Sequence, residues 1–392
     1  MIERRTPVQD VRRLHRRLVL QSLRDEGPQP RSDLARRLGL SATTMTKVVG
    51  QLLEEGVVVE EAAGGDGTRV GRPPTRVRLR TGARFVVGVQ VGAGTVQLGL
   101  CDLTARVRRA GSFSFDPAGT PPRQVVTRIA EAVAKLVNRA GLPRERLLGI
   151  GVAAPGPVDP GHRRNVLSVN LGWRDVAFSD PLESALGVPT VVDHNVRSMA
   201  LAEARYGHTG DADPLLFVYV RTGVGAGVVI GGQPFRPGTY GVTELGHLRV
   251  VEKGRPCVCG ATGCLETIVS EPYLTEQLSM LLGRASARPL ADLAGLAGAG
   301  DARAVPILDD LVDHLATGLA SAVNLLNPEL ILLGGIFDTA PEQIFDRIRA
   351  ALRAKAFPIL RDTVRVERSS LGADAGVVGS AAVALDRLFY NA

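Results

Sequence analysis

The 392-residue chain has no run of eighteen apolar residues, so no segment has the length of a membrane-spanning helix. A signal-peptide pattern is also missing. Met1 to Arg17 is studded with arginine and contains no apolar stretch. A cytoplasmic protein is therefore expected. Cysteine is scarce. Cys101 stands alone, while Cys257, Cys259 and Cys264 fall close together. In a reducing compartment, three clustered cysteines favour metal over disulfides. What is plentiful is apolar sequence, 45% of the residues, enough for substantial cores. The length calls for two or three domains.

Net charge is absent from most of the chain. Residues 85–392 carry 30 Lys and Arg against 30 Asp and Glu, whereas residues 1–84 carry 17 against 10. The whole excess of +7 thus sits in the first fifth. A solubilising basic tail would look the same by charge alone. A basic footprint for a polyanion is the alternative, and pattern decides between them.

Val8 to Leu23 carries apolar residues at Val11, Leu14, Leu18 and Val19, a helical period, stopped by Gly27-Pro28. A short second helix is expected over Ser32–Leu38, with Ser32 as N-cap and Leu34, Ala35 and Leu38 inward. After the Gly39-Leu40 turn, Ser41 is expected to cap a third helix running to about Glu55. Met45, Val48, Val49, Leu52 and Leu53 form its apolar face. Ala42, Thr43, Thr44, Thr46 and Lys47 lie near its free N-terminal half, where small hydroxyls and a lysine can reach bases and phosphates. A short helix, a glycine turn and a capped third helix read as helix-turn-helix rather than a generic bundle. Val57–Glu60 and Arg76–Leu79 alternate like two strands around a long tip containing Arg69 and Gly71-Arg72-Pro73. Such a hairpin is a wing, and the extended arginine segment suits a minor groove. Ser41 through Thr44, Thr46, Lys47, Arg69 and Arg72 are the expected DNA contacts. Thr81-Gly82-Ala83 marks the boundary of this domain, 1–82.

From Phe85 onward, apolar strands alternate with glycine turns and long helices. Phe85–Val91 and Thr95–Asp102 predict a hairpin around Gly92-Ala93-Gly94, followed by a strand over Arg106–Phe115 and a helix over Pro122–Ala140. Leu148–Ala153 predicts a strand ending in Ala154-Pro155-Gly156-Pro157. A second hairpin is expected from Leu215–Val220 to Val228–Ile230 around Thr222–Gly227, and another strand at Leu330–Leu333. Two such hairpins point to two related α/β lobes with a cleft between them.

His247 stands before Cys257, Cys259 and Cys264. Three thiolates and an imidazole complete a tetrahedral zinc shell without an open position, the pattern of a structural site. A Cys257–Cys264 or Cys257–Cys259 disulfide, or inert thiols, are the alternatives. Glu244 and Glu266 flank the loop, where both carboxylates are available to accept hydroxyl hydrogen bonds.

These motifs carry a resemblance. Ala154-Pro155-Gly156-Pro157-Val158-Asp159, Asn170-Leu171-Gly172-Trp173, Ala200-Leu201-Ala202-Glu203, Glu244-Leu245-Gly246-His247 and the cysteine cluster through Glu266 make residues 85–392 resemble the ROK family of sugar repressors, open reading frames and sugar kinases. The N-terminal winged helix resembles the family's regulator branch. The resemblance implies an actin/hexokinase-like (ribonuclease H-like) pair of lobes, 83–194 and 195–374, with a C-terminal helix of about 375–392 returning to the first. It implies homodimers or homotetramers. It also implies that Asn170, His194, Asn195, Glu244, His247 and Glu266 bind a small sugar, and that His247, Cys257, Cys259 and Cys264 hold structural zinc.

Two departures bear on catalysis. The kinases' Asn-Asp pair falls on His194-Asn195, and an amide cannot take the sugar hydroxyl proton. Asp193 is a conceivable displaced base if a strand turns it to the side of Asn195. Gln90 stands where the kinases have an aspartate that helps hold magnesium, and glutamine is a poor magnesium ligand beside a carboxylate. Ala226 stands where the second glycine loop should approach phosphate. The expectation is a sugar-responsive, DNA-binding repressor without phosphoryl transfer. A kinase with an added DNA-binding arm, and a body that only oligomerises, are the competing readings.

Overall fold

The computed structural model describes residues 7–62, 75–207, 209–210 and 212–392. The first module comprises α1 (Pro7–Glu26), β1 (Gln29–Pro30), α2 (Arg31–Arg37), α3 (Ala42–Glu54), β2 (Val58–Ala62) and β3 (Thr75–Leu79). The strands pair antiparallel in the order β1-β3-β2. Its core joins Val19, Leu20 and Leu23 of α1 to Leu34, Met45, Val48, Val49, Leu52, Val77 and Leu79. Ser41 caps α3 by accepting the Thr44 N–H at 3.1 Å. Two expectations fail here. Ser32 lies inside α2, whose N-cap is Pro30, because the extended β1 runs directly into the helix. Val11 and Leu14 face outward, 49% and 44% exposed, because the body meets α1 only toward its second half.

The first lobe contains β4 (Phe85–Val91), β5 (Thr95–Asp102), β6 (Val107–Ser114), α4 (Pro122–Arg139), β7 (Leu147–Ala154), β8 (Arg164–Ser168), β9 (Trp173–Ala177), α5 (Ser179–Leu186) and β10 (Thr190–His194). The second contains α6 (Asn195–Tyr206), β11 (Leu215–Val220), β12 (Val224–Ile230), β13 (Gln233–Pro234), α7 (Glu266–Val269), α8 (Glu271–Leu282), α9 (Pro289–Gly298), α10 (Ala304–Leu326), β14 (Leu330–Gly335), α11 (Glu342–Lys355) and β15 (Arg365–Arg368). The first sheet runs β6-β5-β4-β7-β10 and the second β13-β12-β11-β14-β15. Each is an antiparallel three-strand meander extended by two parallel strands. The two lobes are therefore copies of one topology.

The last helix, α12 (Ala375–Leu385), is buried along its whole length against β4, β7 and α6. Small residues permit this approach. A Cβ on Gly88 or Gly151 would collide with the backbone of α12 at Val377 or Ser380. The chain then runs through Asp386–Tyr390 back to α1, where Arg16 donates to the Phe389 carbonyl at 3.1 Å and Arg24 covers the Tyr390 ring at 4.7 Å. Among the described residues, no helix is long and apolar enough to cross a membrane.

Candidate functional site

A cleft of about 350 Å³ opens between the lobes, within the ~300–1,000 Å³ range of small-molecule sites. Asn170, His194, Asn195, Glu244, His247 and Glu266 all line it. The first lobe contributes the Pro155-Gly156-Pro157 turn and a short helical turn holding Asn170. The second contributes the N-terminus of α6 and the turn between β11 and β12. Gly223 in that turn keeps the floor open: a Cβ there would sit 2.8 Å from Glu266 Oε2 and 3.0 Å from Asn170 Nδ2. An acceptor carboxylate and a donor amide thus converge on one spot, as hydroxyl recognition requires. Burial pushes the Glu244 carboxyl above its ordinary range, with His247 opposing the shift.

The expected reaction centre lies where β10 gives way to α6. Asn195 starts α6, and its Oδ1 accepts the Val196 N–H at 2.8 Å. His194 caps the same helix by accepting the Arg197 N–H, and burial pushes its imidazole down to about 4. Asp193 is not a displaced base. The strand ends at His194, so the alternation that would align Asp193 with Asn195 is broken. Asp193 instead forms a buried ion pair with Arg197, away from the cleft lining. Gln90 is buried on β4, donates to the Val91 carbonyl at 3.2 Å, and leaves its Oε1 without a partner. Ala226 also needs correction. Residues 224–230 are strand, paired in register with β11, so its methyl group enters the core rather than a phosphate loop.

Gln97, Arg221 and Glu271 are among the cleft residues that the sequence reading missed. Gln97 pairs directly with Gln90 across β4 and β5, so the hairpin register would have found it. Arg221 and Glu271 line the rim and lie 3.4 Å apart. Nothing in the spacing of those two announces their meeting.

Beside the cleft, the ligand atoms of His247, Cys257, Cys259 and Cys264 all lie within 4.8 Å of one another. Cys259 Sγ and Cys264 Sγ are 3.7 Å apart, and Cys257 Sγ is 3.6 Å from His247 Nδ1. Zinc–sulfur bonds of about 2.3 Å at a tetrahedral angle separate two sulfurs by about 3.8 Å. The donor set and its spacing therefore suit a metal ion, and all three cysteines are free thiols rather than disulfides. Glu266 abuts the cluster through the Cys257 thiol, which donates to its Oε1 at 3.0 Å.

On the first module, Ser41, Ala42, Thr43, Thr46 and Lys47 are exposed along the N-terminal half of α3. Thr44 is half-buried, and its hydroxyl lies 2.9 Å from that of Ser41, so it serves the cap. Arg69, Arg72 and the wing tip lie outside the described residues.

Fold and cleft together define a two-lobed, sugar-kinase-like body carrying a winged helix-turn-helix. The chain belongs to the ROK family, whose pattern matches residues 86–387, and a winged helix-turn-helix DNA-binding pattern matches residues 12–59. It is 25% identical over 387 residues to a putative xylose repressor of Caldicellulosiruptor sp. (strain Rt8B.4), covering 96% of each chain. It is 32% identical over 316 residues to a glucokinase of Halalkalibacterium halodurans, covering 76% of this chain and 93% of that one. The fold matches a crystal structure of a ROK family transcriptional regulator, a homologue of the Escherichia coli Mlc protein, with a TM-score of 0.82. That pair is 24% identical and 97% of each chain is covered.

Proposed function

We propose that the chain is a sugar-responsive transcriptional repressor whose kinase-like cleft binds its sugar without phosphorylating it. The observation that carries this reading is Asn195: it lines the cleft where the kinases hold a general base, and its amide cannot accept a proton at neutral pH. Loss of general-base catalysis costs about 10²–10⁴ in rate. Gln90 in place of a magnesium-binding aspartate adds to that loss. Full-length similarity to a putative xylose repressor favours regulation over catalysis.

Asn170, Glu244, His247 and Glu266 would take the sugar hydroxyls, with His194 and Asn195 at the far wall. His247, Cys257, Cys259 and Cys264 would hold zinc. When bound, the metal would supply a structural staple for the loop that presents His247 and Glu266. Sugar binding alters DNA affinity only by favouring one lobe arrangement over another, since equal affinity for both would shift nothing. Two copies would place two α3 helices about one DNA turn apart on a palindromic operator.

ATP turnover with a panel of hexoses tests the non-enzymatic reading, comparing wild type with Asn195→Asp. Background turnover by the wild type is expected, and sugar-dependent ATP consumption would overturn it. A sugar that raises the melting temperature and changes operator affinity is the positive result. If no mono- or disaccharide does either, the body serves oligomerisation instead.

A further inference from the structure

On the lobe joint, outside the cleft lining, three arginines gather around one imidazole. His162 is buried in the loop between β7 and β8, and its Nδ1 lies 2.8 Å from the Val192 carbonyl. That contact assigns the proton to Nδ1 and leaves Nε2 one lone pair. Two guanidiniums compete for it: Arg236 from the loop after β13, and Arg387 from the turn after α12 at 2.5 Å. Arg197 lies beneath them, 2% exposed, bonded to Asp193 and to the Gly241 carbonyl. Its buried Nε has no partner.

The nearby acids are already engaged. Asp193 is paired with Arg197, and Asp386 with Arg205. Asp159 accepts the backbone N–H groups of Gly161, Arg163 and Arg164. Among the described residues, neither Arg236 nor Arg387 has a carboxylate partner. His162 cannot supply the missing negative charge, because an imidazole is either neutral or cationic. Burial, then Arg387 and Arg236, push its pKa down to about 4, so it is neutral. Uncompensated guanidiniums this close are costly unless an anion joins them.

We propose that Arg236 and Arg387 form a binding site for a phosphate-bearing anion at the joint of the two lobes, floored by His162 and Arg197. Arg387 is exposed and Arg236 half-buried, so the site opens to solvent. Guanidinium forks match the geometry of phosphate oxygens. One arginine comes from each lobe, so the bound anion bridges them.

The test is calorimetric titration of the full chain with inorganic phosphate and with glycerol phosphate, at ionic strength held constant with potassium chloride. Saturable binding is expected, with a matching rise in melting temperature. Arg236→Gln and Arg387→Gln should each weaken it about tenfold or more, as loss of a charge-assisted bond predicts. Without phosphate, Arg236→Gln should melt no lower than wild type, because repulsion is relieved. Arg236→Lys keeps the charge but loses the fork, and should bind with intermediate affinity. Equal binding of both probes identifies the free ion, and preference for glycerol phosphate identifies an organic monoester. No saturable binding by the wild type, or unchanged binding in the doubly substituted chain, overturns the proposal.

Discussion

Arg24 of α1 lies 3.7 Å from Asp386, and the same carboxylate is ion-paired with Arg205 of α6. One buried acid thus ties the DNA-binding module to the helix that opens the second lobe. The C-terminal turn that carries Asp386 also receives Arg16 and Gln21 from α1. Any displacement of α6 would therefore bear on the seat of the winged helix through this shared acid.

Asp386→Ala is expected to destabilise the chain by about 3 kcal/mol, because it leaves the buried Arg205 guanidinium without its acid, while Arg24 keeps Asp25. Sugar affinity should change little, while the sugar's effect on operator affinity should fall. Denaturant unfolding, calorimetry and operator titration with and without sugar measure the three quantities. An undiminished operator response would show that the signal takes another route.

Lys47 is the exposed cation on the N-terminal half of α3. Lys47→Ala should weaken operator binding and lower the slope of log affinity against log salt by about 1, the contribution of one phosphate contact. A fall in affinity with an unchanged slope would move Lys47 from the phosphate backbone to a base.

Acid sensitivity should come partly from His194. Burial holds its folded pKa at about 4, below the ordinary value of about 6.5 that it regains on unfolding. Between those values the unfolded chain binds a proton that the folded chain refuses, so stability rises with pH. The contribution is complete above about pH 6.5 and lost as pH falls toward 4. Asn is a good N-cap, so His194→Asn should keep α6 intact and flatten the profile. Melting curves from pH 4.5 to 7.5 decide it, and parallel profiles would mean that His194 titrates normally in the fold.

Local pattern made much of this molecule legible. The hairpin of β4 and β5 falls on the residues where alternation and the Gly92-Ala93-Gly94 turn put it, and Ser41 caps α3 as its position suggests. Errors arose where local pattern met a tertiary decision. Asp193 does not align with Asn195, because the strand gives way to α6 directly after His194. The glycines around Ala226 looked like a loop, yet Gly225 and Gly227 serve close approach to α6: a Cβ at either would strike Val196 or its backbone. Val11 and Leu14 have the right period but stay largely exposed among the described residues. The docking of Asp386 and Tyr390 on α1 joins residues more than 350 positions apart, and no short-range signal encodes it.

The cysteine cluster gives the last prediction. Cys257 reaches Glu266, and Glu266 and Asn170 flank the open floor above Gly223, so the proposed metal ligands adjoin the proposed sugar contacts. Purified chain should contain about one zinc per protomer. Cys259→Ser should lower that content, and so should dialysis against a chelator. Cys259 is the exposed ligand, so its replacement disturbs packing less than loss of the buried Cys257 or Cys264. With zinc gone, His247 and Glu266 are no longer held, and sugar affinity should fall by about 10–100-fold, the cost of loosening a metal's supporting shell. The core of the first module runs on into α12 and Tyr390 rather than into the cysteine loop, so the module should keep its operator affinity while ceasing to respond to sugar. Metal analysis, sugar calorimetry and operator titration on the same preparation separate these effects. Unchanged sugar affinity after verified zinc loss would sink this account, because the carboxylate would then be held by α7 alone.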